Sequence, residues 1–176
     1  MTNYCGYMGK VVLLDLDAKT TTEYPWSDRD RELYIGGKAM ASKVLYHNLT
    51  GTEDPFGPEN LIVISTGPLT GTGAPSSNRF DISALSPLTG ITTSSNCGGN
   101  FGHYLKKAGM DALIIRGRCE TPTWIEIEND NFTFHDAADL WGMRTTETQE
   151  AMQAKLDEAA GKKVRGGMLA SGLFLG

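Results

Sequence analysis

Cysteine is scarce: 176 residues hold three, Cys5, Cys97 and Cys119, scattered too widely for a disulfide framework and never in a CxxC pair. His47, His103 and His135 do not lie at metal-ligand spacing, so a self-contained zinc or iron–sulfur site is not expected, and each histidine reads as an ordinary surface or capping residue. Positive charge is in the minority, 16 Lys and Arg against 21 Asp and Glu, which removes the basic footprint of nucleic-acid binding. Long apolar runs are missing too. The uncharged stretch over residues 84–101 is broken by Gly, Pro, Ser, Thr and Asn and cannot form an apolar helix of about 20 residues. No basic segment followed by an apolar one opens the chain, so no signal peptide is expected and the cytoplasm is the expected compartment. GxxxxGK[ST], GxSxG and HExxH are all absent. The dinucleotide fingerprint fails as well: Gly71 and Gly73 begin one, but Ser76 stands at its third glycine.

What is present suits a folded domain. At 40% hydrophobic and 21% charged residues, a chain of this size can bury around 70% of its unfolded surface without staples. One domain is expected over residues 1–165, with a divergent glycine-rich tail over 166–176. Glycine is the excess, 21 residues, or about 12% against a background near 7%. It concentrates at Gly36 and Gly37, between Gly67 and Gly102, and after Arg165. The middle cluster contains an echo, Gly-Pro-Leu-Thr-Gly at 67–71 and Ser-Pro-Leu-Thr-Gly at 86–90. Between them lies an alternating segment that reads as a strand.

Strands are expected at 11–16, 61–65, 80–85, 111–116, 124–128 and 132–135, the last two joined by a turn at Asn129, Asp130 and Asn131. Helices are expected at 37–48, 99–108 and 147–159, the last with Thr146 and Gln149 at capping-box spacing and with Met152, Leu156 and Ala159 on one face. Strand runs interrupted by single helices argue for an α+β fold rather than βαβ alternation.

The glycine-rich segment offers two readings. One is a pair of turns in a β-rich domain. The other is a polyanion cradle, in which turn amides and a helix starting near Gly99 face a common loop. Arg79 can then present a bidentate fork to a phosphate. Asn78 and Asn96 can read a heterocycle's edge or offer a carbonyl to a hard cation such as Mg²⁺. Cys97, placed in this loop, reads as a small packed thiol.

Ordered blocks across the chain carry a closer resemblance. They are Gly6-Tyr-Met-Gly-Lys10, Ile35-Gly-Gly-Lys-Ala39, Asp54-Pro-Phe-Gly-Pro-Glu-Asn60, Thr66-Gly-Pro-Leu-Thr-Gly-Thr-Gly-Ala-Pro75, Ser86-Pro-Leu-Thr-Gly90, Asn96-Cys-Gly-Gly-Asn-Phe-Gly102, Lys106-Lys-Ala-Gly-Met-Asp-Ala-Leu-Ile-Ile115, Pro122 and Leu140-Trp-Gly142. In order and spacing they resemble the N-terminal domain of the tungsten-containing aldehyde ferredoxin oxidoreductase family. The resemblance implies a two-sheet α+β base under a tungsten (or molybdenum) bis-pyranopterin, its phosphates bridged by Mg²⁺. The metal's ligands are then dithiolene sulfurs, which accounts for the missing protein ligands. Arg79 matches the arginine that approaches the pterin phosphate. Asn96 matches the asparagine whose backbone carbonyl helps ligate the magnesium. Gly98 and Gly99 match positions of close approach. Lys38 stands where many relatives carry arginine, and Ala39 where they carry glycine.

Two functions follow from the resemblance. One is the cofactor-binding part of an oxidoreductase that converts aldehydes to carboxylic acids with ferredoxin as electron acceptor. The alternative is a non-catalytic remnant, or a separately encoded pterin-binding subunit that needs a partner chain. In both, the 4Fe-4S cluster ligands and the proton-transfer residues belong to helical domains or a partner subunit outside this chain, and no catalytic residue is expected within it. Beyond Val164 the text departs from the family pattern, so the chain is expected to be cut short or altered at its end.

Overall fold

The computed structural model describes residues 5–160. The expected domain boundary at 165 and the tail over 166–176 lie outside the described residues. These residues fall into two compact units that meet in sequence at Arg118 and Cys119.

The first unit is built on a six-stranded sheet. Its strands are β1 (Val11–Asp15), β2 (Thr20–Glu23), β3 (Ile62–Thr66), β4 (Phe80–Leu85), β5 (Thr92–Cys97) and β6 (Ala112–Arg116), in the order β2-β1-β6-β3-β4-β5. Only β1 and β6 run parallel; every other pair is antiparallel. Hydrophobic strands therefore hold the middle and polar ones the edges. Val-Val-Leu-Leu in β1 and Ala-Leu-Ile-Ile in β6 are buried on both faces, whereas β2 (Thr-Thr-Thr-Glu) is exposed throughout and β5 (Thr-Thr-Ser-Ser-Asn-Cys) nearly so. Neither edge strand carries the apolar alternation by which the sequence announces a strand, so sequence reading places none there.

Two helices belong to one face. α1 (Asp28–Tyr34) starts at Ser27, whose side chain accepts from the Asp30 N–H while the Asp30 carboxylate accepts from the Ser27 N–H, a complete capping box. α2 (Gly37–Asn48) packs on β3 and β4. Met40, Ala41, Val44 and Leu45 of α2 meet Val11, Val63, Ala112 and Ile114 of the sheet, with Trp26 and Leu61 at the margin. Burial of side chains such as Val44 and Leu45 contributes about 1.5–3 kcal/mol each.

A third helix, α3 (Phe101–Lys107), supplies a buried ion pair. Lys106 and Asp111 are each 4% exposed at the side chain and bridge one another. Their remaining valences close on the backbone. Lys106 Nζ donates to the Gly6 carbonyl at 2.8 Å, and the Asp111 carboxylate accepts the N–H groups of Met8 at 3.0 Å and Gly9 at 2.8 Å. Added hydrogen bonds of this kind are what make a buried pair tolerable. It straps residues 6–9 onto the start of β6.

The second unit contains β7 (Thr123–Glu128) and β8 (Asn131–Asp136), an antiparallel hairpin, and α4 (Thr145–Ala160). Its core is Trp124, Ala137, Leu140 and Met152, with Leu156 alongside. The hairpin turn uses Asn129 at φ +54°, a conformation asparagine tolerates. The expected cap of α4 is displaced by two residues: Glu147, not Gln149, receives a backbone N–H, from Arg144 at 3.2 Å. Thr146 lies inside the helix and Ala159 is exposed. Polar residues crowd this helix start, so several registers satisfy capping spacing and packing of Met152 chooses among them.

Candidate functional site

The two echoed turns serve different ends of β4. The second closes the β4–β5 hairpin, where the Gly90 N–H donates to Ser86 O at 2.9 Å and Gly90 has φ +69°. The first, after β3, is tied down by Thr70. Its N–H bonds Gly67 O at 3.1 Å and its hydroxyl bonds Arg79 O at 3.0 Å. Between this first turn and the start of α2 opens a cleft of about 430 Å³, into which Lys38, Arg79 and Asn96 all face, with Ser65, Asp81 and Leu69.

Close approach builds one wall. A Cβ on Gly36 would lie 2.4 Å from Thr66 O, so only glycine lets the entry to α2 abut the end of β3. Gly36 is also the N-cap of α2 and brings no side chain to cap it. The first-turn amides, with Gly37 and Lys38 on the cleft lining, therefore present the positive end of a 12-residue helix. The chain reaches that point through a strained turn. Ile35 has φ +58° and ψ −70°, and Gly36 N–H bonds Tyr34 O at 2.6 Å, a γ-turn with positive central φ on a β-branched residue. The Tyr7 hydroxyl holds it by donating to Ile35 O at 2.7 Å. Burial, with the nearby Asp111 carboxylate second, raises the Tyr7 pKa above its usual value and keeps that donor protonated.

The floor is a polar row. Register pairs Ser65 with Asp81 and Asp81 with Asn96, so three cross-strand side chains share the face that α2 covers. Ser65 is fully buried and donates to Gly37 O at 2.9 Å. Asn96 receives an Arg79 N–H on Oδ1 and donates from Nδ2 to Phe80 O at 3.2 Å. The Ser86 N–H bond to Ile91 O at 2.8 Å marks that pair as hydrogen-bonded. Alternation along an antiparallel ladder then makes Asp81 and Asn96 a non-hydrogen-bonded pair. The Asn96 carbonyl consequently points away from β4, toward the edge of β5, where no strand pairs with it among the described residues.

The family model for the aldehyde ferredoxin oxidoreductase N-terminal domain matches residues 11–167. The chain belongs to that family. It is 35% identical over 153 residues to a tungsten-containing aldehyde ferredoxin oxidoreductase of Pyrococcus abyssi, covering 87% of this chain and 25% of the relative. An aliphatic sulfonate oxidoreductase, WOR-like subunit, of Pyrococcus furiosus is 33% identical over 161 residues, again 25% of its length. Among solved structures, the active site complex BamBC of benzoyl coenzyme A reductase with 1,5-dienoyl-CoA superposes with a TM-score of 0.84 at 35% identity, over 87% of this chain and 23% of that one. This chain thus spans about a quarter of these relatives. The α+β class expected from the strand and helix pattern holds, with a six-stranded and a two-stranded sheet.

Within this family member the residues singled out from the sequence divide into two groups. Arg79, Asn96 and Lys38 meet at the cleft. Asn78 stands off its lining; its Oδ1 accepts the Gly71 N–H at 3.4 Å and braces the turn. Gly98 and Gly99 follow β5, exposed and away from the cleft lining. Gly99 has φ +92°, with open space where a Cβ would sit. Asn96 and Cys97 lie on a strand rather than in a loop, and Cys97 is exposed rather than packed. The helix expected at Gly99 begins at Phe101, with no side-chain cap at Asn100; the helix start on the cleft belongs to α2. Sequence reading passed over Asp81, Ser65 and Tyr7. Asp81 follows Arg79 by two positions, just inside β4, and nothing in its local pattern marks it as part of a site.

Proposed function

We propose that the cleft holds the phosphate end of a tungsten or molybdenum bis-pyranopterin, and that the chain is the cofactor-binding part of an oxidoreductase. The observation that carries this is the convergence of Arg79, Lys38 and Asn96 with the open amides of α2 at one cleft. Among apolar neighbours such as Leu69 and Phe80, its guanidinium fork, ammonium and uncapped helix amides suit a phosphate ester, and the Asn96 carbonyl at the adjoining sheet edge suits a bridging cation. The donor set also agrees with a metal held by cofactor sulfurs, since no group of three His, Cys, Asp or Glu is placed for a metal ion among the described residues. When bound, the cofactor supplies two-electron redox chemistry at its metal.

The chain's own residues have narrower tasks. Arg79, pinned through Asn96, keeps its remaining N–H groups for a phosphate oxygen. Lys38 adds charge without bidentate geometry. The outward Asn96 carbonyl is an oxygen ligand for Mg²⁺, and Gly99 leaves space at the strand exit. Aldehyde oxidation with ferredoxin as acceptor is the activity we assign to the assembly. Its 4Fe-4S cluster and proton-transfer groups come from helical domains or a partner subunit. The relatives named for aldehyde, sulfonate and benzoyl-CoA chemistry all share this region, which supports a domain that seats cofactor and leaves substrate choice to others.

Metal retention tests the assignment. In chain purified from cells that make the cofactor, Arg79→Ala is expected to lower bound tungsten or molybdenum by at least about tenfold, and Lys38→Ala by severalfold less. Equal retention by wild type and Arg79→Ala, measured by elemental mass spectrometry, rejects the phosphate clamp.

A further inference from the structure

Among the described residues, Asp81 contributes the sole carboxylate on the cleft lining. It is 4% exposed. Oδ1 accepts the Ser83 hydroxyl at 2.5 Å, while Oδ2 has no hydrogen-bond partner among the described residues. No cation of the cleft answers it: Arg79 is turned to Asn96, and Lys38 forms no ion pair with it. Oδ2 is not sealed from solvent, so it stands as an acceptor open to what enters the cleft. A bare phosphate there would bring like charges together in a partly desolvated site.

A cation between the two anions resolves this conflict. Mg²⁺ gives up its waters reluctantly, so it takes one or two protein oxygens and phosphate oxygens while retained waters donate to nearby carboxylates. Asn96, paired in register with Asp81, already directs its carbonyl to the open sheet edge. We infer that Asp81 Oδ2 is the outer-shell acceptor for water on a divalent cation bridging phosphates in this cleft. The inference rests on the phosphate reading of the site. Asp81 is then a positioning residue, acting through metal-bound water. The Ser83 bond holds Oδ1 and leaves Oδ2 as the acceptor of a carboxylate that lines the cleft.

Inorganic pyrophosphate is the probe. Its binding to the full chain is measured by calorimetry with excess Mg²⁺ and with a chelator, and circular dichroism melts verify folding. In wild type, Mg²⁺ is expected to tighten binding by about tenfold or more. Asp81→Asn preserves shape and the Ser83 bond. It is expected to lose about tenfold of the Mg²⁺-dependent gain, with metal-free binding unchanged or tighter because a repelling charge is gone. Asp81→Glu is expected to recover part of the gain, and Arg79→Ala to weaken binding under both conditions. Three results overturn the inference: equal loss in Asp81→Asn with and without Mg²⁺, as a structural defect gives; no loss with Mg²⁺, as a carboxylate serving an organic N–H gives; or no effect of Mg²⁺ on wild type. In the last case the phosphate site stands and the inference alone falls. A wild type that binds pyrophosphate under neither condition overturns both.

Discussion

Ile35 shows how one residue can carry local strain at a cleft. A β-branched side chain at positive φ costs roughly 1–3 kcal/mol, and Ile35 is 58% exposed, so packing returns little of it. Glycine would relieve the angle while adding about 0.5–1 kcal/mol of chain entropy. Ile35→Gly is therefore expected to stabilise the protein by about 1 kcal/mol, read as a higher urea midpoint. A lower midpoint would show that side-chain packing and the lost chain stiffness outweigh the angle. Arg79 and Asn96 stand out at this scale because a guanidinium and an amide beside glycine-rich turns suit a polyanion, whereas Lys38 is marked only by the family resemblance. Asp81 does not stand out. Its neighbours alternate Phe80, Ile82 and Ala84 against Asp81, Ser83 and Leu85, so an apolar-inward rule turns Asp81 to solvent, yet it is more buried than Ile82 or Ala84. Coverage by α2 decided that, and no local pattern announces coverage.

At the scale of elements, the loop after α2 makes a titrating cap. Glu53 accepts the Thr50 N–H at 2.7 Å, the Gly51 N–H at 2.9 Å and the Thr50 hydroxyl at 2.9 Å. The backbone bonds, that of Thr50 foremost, lower its pKa from 4.5 to about 2. A depressed carboxylate stabilises fully above its unfolded value and ceases to as pH falls through its folded one. Stability should therefore decline as pH drops from 4.5 toward 2. Asp15, held low by the Ala18 N–H and then Arg116, adds to the same acid limb. In urea titrations across this window, Glu53→Gln is expected to lose stability less steeply than wild type; parallel slopes would assign the acid sensitivity to other carboxylates. The regular elements were legible where apolar residues repeat, as in β1, β3, β6 and α2. Edge strands β2 and β5 were not, because Thr-, Ser- and Asn-rich strands are held by ladder bonds to a neighbour rather than by their own burial.

For the whole molecule, the absence with which the sequence begins sets the test. With Cys5 and Cys97 exposed, Cys119 buried and no three-ligand cluster among the described residues, chain purified from cofactor-competent cells is expected to contain neither iron nor acid-labile sulfide. Stoichiometric four-iron content in the isolated chain would contradict the division of labour proposed here. No helix among the described residues is long and apolar enough to cross a membrane. The sequence by itself determined the family and the α+β class and named three residues that line the cleft, because those rest on residue order and on side-chain chemistry that survives without coordinates. Tertiary structure decided which helix start faces the cleft, which face of β4 is buried and where the Asn96 carbonyl points. Those depend on register and on what packs against what, and pairing β4 one residue out of step would turn its other face to α2.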